Sequence, residues 1–154
     1  MRRIRLGLAL TVIALIVSAG VALASVLGDT GFYKGSTSQG KVISFKLTQN
    51  GRKAENGSIR WLADCQVAGR RAYRDVTTFT VSVSSRGIFN LAGGYTADLG
   101  NGFTGKVSAN LSGRFPAERR AVGTFRGRVT VSDSTGKVVD HCDSDKITWH
   151  ASHQ

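Results

Sequence analysis

The sequence predicts an all-β domain: an antiparallel β-sandwich of jelly-roll type, with a small closed β-barrel as the alternative. Three observations carry this. Segment after segment alternates apolar and polar residues with a period of two, the pattern of a strand with one buried and one wet face. The 154 residues include 19 Gly and 7 Phe but a single Pro, the composition of a turn-rich β protein. Helix formers are sparse, with Glu only at Glu55 and Glu118, and aromatic and β-branched residues run along the whole chain, which excludes a disordered polymer.

In chain order, Val42 to Thr48 places Ile43, Phe45 and Leu47 on one face, and Gln49-Asn50-Gly51 follows as a turn. Ser58 to Cys65 aligns Ile59, Trp61, Ala63 and Cys65, and Thr77 to Val83 aligns Phe79, Val81 and Val83. Arg86 to Leu91 and Tyr95 to Leu99 are read as two shorter strands. Lys106 to Phe115 aligns Val107, Ala109, Leu111 and Phe115. Val122 to Val131 puts Gly123 and Gly127 on the same side as Phe125, Val129 and Val131, which implies bulges or close sheet-to-sheet approach there. Lys146 to Ala151 aligns Ile147, Trp149 and Ala151. Pro116 to Arg120 has room for one helical turn at most. About eight or nine strands separated by turns make a sandwich or a barrel, and no fixed-period repeat is present.

The N-terminus reads as an export signal. Arg2, Arg3 and Arg5 precede the apolar run Leu6 to Val17, and Ala22-Leu23-Ala24 supplies small residues at signal-peptidase spacing. Residues 1–24 are therefore expected to be a signal peptide cleaved after Ala24, residues 25–30 a linker, and residues 31–154 one domain. The uncharged stretch from Leu6 to Leu27 is also long enough to span a bilayer, so an uncleaved N-terminal anchor is the alternative. Either way the domain is exported. Its location is secreted or extracytoplasmic.

Without the leader, eighteen basic residues face ten acidic ones, a balance of +8. Such a charge favours anionic neighbours, whether headgroups, wall polymers or nucleic acid. The basic residues are scattered, and the pairs Arg70-Arg71 and Arg119-Arg120 are the candidate contacts. Specific nucleic-acid recognition is not expected, and membrane contact is expected only through an uncleaved leader.

An exported chain with two cysteines, Cys65 and Cys142, makes one disulfide most simply. Cys142 stands seven positions before Trp149, off that residue's face, which places it in the loop entering the last strand. No Trp sits between the cysteines as in an immunoglobulin domain, and no Cys-x-x-Cys marks a redox site.

Candidate chemistry is thin. Asp140-His141-Cys142-Asp143-Ser144-Asp145 is the densest polar cluster, but it lacks the Gly and distal Glu of a calcium loop and reads as a solvated loop. His141, His150 and His153 match no zinc spacing. Glycoside hydrolysis needs two carboxylates at a set separation. Glu55 falls in the polar turn Arg52 to Gly57, Glu118 stands beside Arg119 and Arg120, and nothing singles out Asp64, Asp75 or Asp98. No catalytic residue, metal or cofactor is expected.

Tyr33-Lys34-Gly35-Ser36-Thr37-Ser38-Gln39-Gly40, with Trp61-x3-Cys65 and Cys142-x6-Trp149, resembles a group of secreted β-sandwich proteins common in actinobacteria. These show a Tyr-x-Gly-x-Thr-Ser-Gln-Gly start and a cysteine pair. The resemblance implies a shared fold and export, and assigns no site. From the residues alone, Ser36 to Gly40 is a polar turn joining two strands.

The expected function is a non-catalytic binding or structural module of the cell envelope, engaging a glycan or an anionic polymer. Tyr33, Tyr73 and Tyr95 are the candidates for stacking on sugars. The alternative is an envelope hydrolase acting on a polysaccharide through an Asp.

Overall fold

The computed structural model describes residues 25–67 and 73–154. The leader, the cleavage site after Ala24 and the pair Arg70-Arg71 lie outside the described residues. The described chain forms nine antiparallel strands: β1 Gly31–Thr37, β2 Val42–Thr48, β3 Lys53–Cys65, β4 Tyr73–Ser82, β5 Ile88–Gly100, β6 Phe103–Ala117, β7 Arg120–Ser132, β8 Val138–Asp143 and β9 Ile147–His153. Among the described residues no helix is long and apolar enough to cross a membrane.

The main ladder runs β4-β3-β2-β1-β9-β7-β6-β5, and β8 bridges β3 to β7. That bridge closes β3, β2, β1, β9, β7 and β8 into a six-stranded barrel, with β4, β5 and β6 as additional strands. The fold is therefore all-β as expected, and it takes the closed-barrel form, not the jelly roll. Two up-and-down meanders, β1–β4 and β5–β8, are joined through β9, so the crossing connections of a jelly roll are absent from the described ladder.

Closure works by sharing edges. One edge of β3 pairs with β4 over Lys53 to Ala63 and with β8 at Asp64 and Cys65. One edge of β7 pairs with β9 over Arg120 to Phe125 and with β8 over Arg128 to Ser132. At the handover Gly127 donates its N–H to Ser144 Oγ (2.9 Å) and accepts the N–H of Ser144 (2.9 Å). Cys65 and Cys142 are cross-strand partners on the short β3–β8 ladder and form a disulfide.

Four local expectations change. Cys142 lies within strand β8 instead of a loop, because β8 presents Asp140 and Cys142 inward and its charged residues hide the strand alternation. Glu55 belongs to β3, where a bulge between Ala54 and Gly57 keeps the alternation out of register and Lys53 pairs with it at 3.2 Å. The two short strands around Arg86 to Leu91 and Tyr95 to Leu99 are one continuous β5. Pro116 to Arg120 is a hairpin turn, with Ala117 paired to Arg120. Residues 25–30 are tied to the end of β6 and its turn: Val26 N–H donates to Phe115 O at 2.9 Å and Asp29 N–H to Glu118 O at 2.7 Å.

The core is aromatic. Phe45 stacks on Tyr33 with ring centres 5.1 Å apart, and Phe115, Phe89 and Trp149 pack edge-on around it. The inward glycines make this possible. A Cβ at Gly123 would lie 2.4 Å from the Trp149 ring, and one at Gly127 would lie 2.6 Å from Trp61. The close approach read from their spacing is present, and the large rings occupy the vacated space.

Candidate functional site

Strand β4 carries the site. Its alternation turns Tyr73, Asp75, Thr77, Phe79 and Val81 toward the interior and Arg74, Val76, Thr78 and Thr80 outward. Phe79 and Val81 are buried, whereas Tyr73, Asp75 and Thr77 are half-buried at the end where β4 faces β5. These two strands are the ends of the ladder and share no main-chain pairing, so a seam lies between them.

Side chains bridge that seam. Tyr73 donates its hydroxyl to Asp75 Oδ2 at 2.8 Å, and Tyr95 on β5 donates to the same oxygen. Asp75 Oδ1 accepts the Val76 N–H at 2.6 Å. Behind them, Trp61 donates its Nε1–H to Thr77 Oγ1 at 3.0 Å, and its ring packs against Tyr73 and Phe125, each 5.5 Å away.

Inside the seam is an apolar cavity of about 160 Å³, lined by Ile59, Phe79, Leu91, Leu111 and Phe125, with Thr77 and Tyr95 also on its wall. Its origin is one row of small residues. Gly93 on β5 pairs with Ala109 on β6, which pairs with Gly127 on β7. The Trp61 indole fills the trough at the Gly127 end. At the other end a Cβ on Gly93 would meet nothing within 4 Å, and this open end is the cavity.

Burial, and next the hydrogen bond to Asp75, push the Tyr95 hydroxyl up to about 12 and raise that of Tyr73 further. Tyr33 is pushed up to about 12, by burial first and the Asp29 charge second. These groups favour the folded state fully below about pH 10, where free tyrosine ionises, and that contribution is lost as pH rises toward 12. Tyrosinate absorbance and loss of circular dichroism should therefore rise together across that interval. Tyrosinate forming near pH 10 in protein that is still folded would contradict the burial argument.

The predicted site residues separate into two places. Tyr73 and Tyr95 meet at the seam. Tyr33 is fully buried, donating its hydroxyl to the carbonyls of Asp29 (2.9 Å) and Glu118 (2.7 Å), so it has no face for a sugar. Arg119 and Arg120 are exposed at the β6–β7 turn above it, Arg119 lying 3.3 Å from His153 Nδ1. Of the three aspartates considered for hydrolysis, Asp75 faces inward while Asp64 and Asp98 alternate outward, so the three do not converge. Thr77 and Trp61 were missed as site residues. Extending the Phe79 and Val81 alternation backward through Thr77 and Asp75 to Tyr73 is the signal that finds the inward acid.

Of the acidic cluster Asp140 to Asp145, Asp140 to Asp143 belong to strand β8, Ser144 and Asp145 lie in the connection after it, and its acids diverge. Asp140 is 4% exposed, its Oδ1 accepting the N–H groups of Gln66, Val67 and His141. Asp143 faces outward, where Arg126 (2.6 Å) and Arg128 (3.0 Å) hold its carboxyl down at about 2. A carboxyl that acidic cannot serve as the general acid of a hydrolase at neutral pH. Cys65, Asp140 and Cys142 lie close enough to share a metal ion, but both sulfurs are consumed in the disulfide. That disulfide fits an oxidising compartment.

Compared with known proteins, the chain matches no family model, no curated protein and no solved structure.

Proposed function

We propose that this domain is the binding module of an exported protein, non-catalytic, whose ligand is a small molecule with a ring-sized apolar body held in the β4–β5 seam. The observation that carries the reading is the apolar cavity of about 160 Å³, on whose wall stands Tyr95, hydrogen-bonded to Asp75. Cavities near 150 Å³ with aliphatic and aromatic walls stay dry and take up benzene. Convergent polar groups at the mouth of an apolar pocket are the usual arrangement of a ligand site. Because β4 and β5 are held together by side chains and not by a ladder, the seam can part without breaking main-chain hydrogen bonds. Export accounts for the disulfide and agrees with the N-terminal leader.

The test uses toluene as probe and Gly93→Leu as the blocking variant. The new side chain enters open space, and its backbone carries no left-handed strain, so the variant should melt at or above the temperature of the unaltered protein. Toluene should raise the melting temperature of the unaltered protein and leave that of Gly93→Leu unchanged. An equal response in both, or none in either, refutes the cavity as the ligand site.

A second reading, an anionic polymer, draws on the outer face of β6 and β7. There Lys106, Arg114, Arg126 and Arg128 occupy outward positions on adjacent strands, and Lys146 lines the same shallow groove as Arg126 and Asn110. Asp143 neutralises part of that charge. Binding of this kind is diffuse and falls steeply with salt.

A further inference from the structure

We propose that the ligand of the seam is a cation: a small aryl-alkyl amine whose ring fills the cavity and whose ammonium sits on the open position of the Asp75 carboxylate. This rests on the reading of the seam as a ligand site and names the head group that the site selects.

The rim chemistry is one-sided. Asp75 is an inward-facing acid in a domain whose basic residues outnumber its acids by eight. Even so, the ion pairs among the described residues are Lys53–Glu55, Arg126–Asp143 and Arg128–Asp143, and none of them uses Asp75. Arg74, its neighbour on the chain, alternates to the outer face. The carboxylate is instead held by neutral donors, the two tyrosine hydroxyls on Oδ2 and the Val76 N–H on Oδ1. A carboxylate accepts at about four lone-pair positions, so three donors leave room for one more.

An ammonium supplies that donor with a full positive charge. The bond is charge-assisted and stronger than a neutral one. The two phenol hydroxyls take both acceptor positions on Oδ2, so the open position is on Oδ1, which otherwise holds the Val76 N–H. An anionic head would meet the carboxylate at close range and be repelled, while a hydroxyl would gain a hydrogen bond without the charge. The apolar wall starts at Tyr95 and Thr77, next to this rim. One ligand therefore reaches both parts when a short link joins its amine to its ring.

The experiment titrates toluene, benzylamine and benzoate into the full domain and follows chemical-shift changes at Gly93 and Tyr95. On the unaltered protein benzylamine should bind about tenfold or more tightly than toluene, as one charge-assisted bond implies, and benzoate more weakly than either. Benzylamine no tighter than toluene overturns the amine assignment and leaves the cavity reading standing. No binding of any probe overturns both. In Asp75→Asn, benzylamine should fall to the level of toluene while toluene keeps its affinity within about threefold. An equal loss for both probes makes Asp75 a structural latch and refutes its role as counter-ion. If Asp75→Asn does not fold, the three-probe comparison on the unaltered protein decides the question.

Discussion

Breaking the Cys65–Cys142 bridge is expected to lower the free energy of unfolding by up to about 4.5 kcal/mol, the chain-entropy value for so long a loop. The cysteines are 77 positions apart, so the reduced unfolded chain regains freedom over half its length. The bridge also sits where the barrel is weakest. The β3–β8 ladder has two register pairs, Asp64 with Asp143 and Cys65 with Cys142, extended by the N–H groups of Gln66 and Val67 onto His141 O and Asp140 Oδ1, whereas β6 and β7 pair along nearly their whole lengths. Asp64 and Asp143 are like charges directly opposite, which opposes pairing; Arg126 and Arg128 offset that for Asp143. Urea titrations with and without reductant measure the loss, and hydrogen exchange should show β8 amides opening first. A change under about 1 kcal/mol would mean that the β7–β8 ladder holds the ring closed without the covalent link.

Truncating Phe45 to Ala is expected to cost about 3–5 kcal/mol, the range for removing a large buried aromatic. Phe45 is fully buried on β2 and lies within 6.4 Å, ring centre to ring centre, of Tyr33, Phe79, Phe89, Phe115 and Trp149. Those five rings come from β1, β4, β5, β6 and β9, so one side chain ties the closed barrel to the additional strands. No neighbour is free to collapse into the gap, because each ring is held by a different strand. Phe32→Ala is the control: its side chain is 48% exposed and its loss should move stability by about 0.5 kcal/mol or less. Chemical denaturation of both variants checks the contrast, and equal effects would remove Phe45 from the centre of the core.

Most strands were legible because their buried faces are continuously apolar. Val42 to Thr48 is β2 to the residue, and Gln49-Asn50-Gly51 is the turn after it, with all three residues at positive φ. Strand β8 was not legible. Its inward residues are Asp140 and Cys142, so the alternation that reveals a strand carries an acid on the inside. Tyr33 illustrates a different limit. An aromatic beside polar residues reads as a surface contact, yet the backbone carbonyls of Asp29 and Glu118 receive its hydroxyl and permit complete burial.

The sequence by itself determined the strand class, the cysteine pairing and the inward glycines, because each depends on local periodicity or on a count with one solution. Only the tertiary structure decided the closure of the barrel and the candidate site. Closure depends on which edges of β3 and β7 remain free, and that is a property of the assembled ladder. The site joins Asp75 to Tyr95, twenty positions away on a strand that does not pair with β4. Its cavity arises because Gly93, Ala109 and Gly127 fall into one register row while a single indole fills only one end. Register between distant strands follows from the packing of whole faces, and no window along the chain contains it.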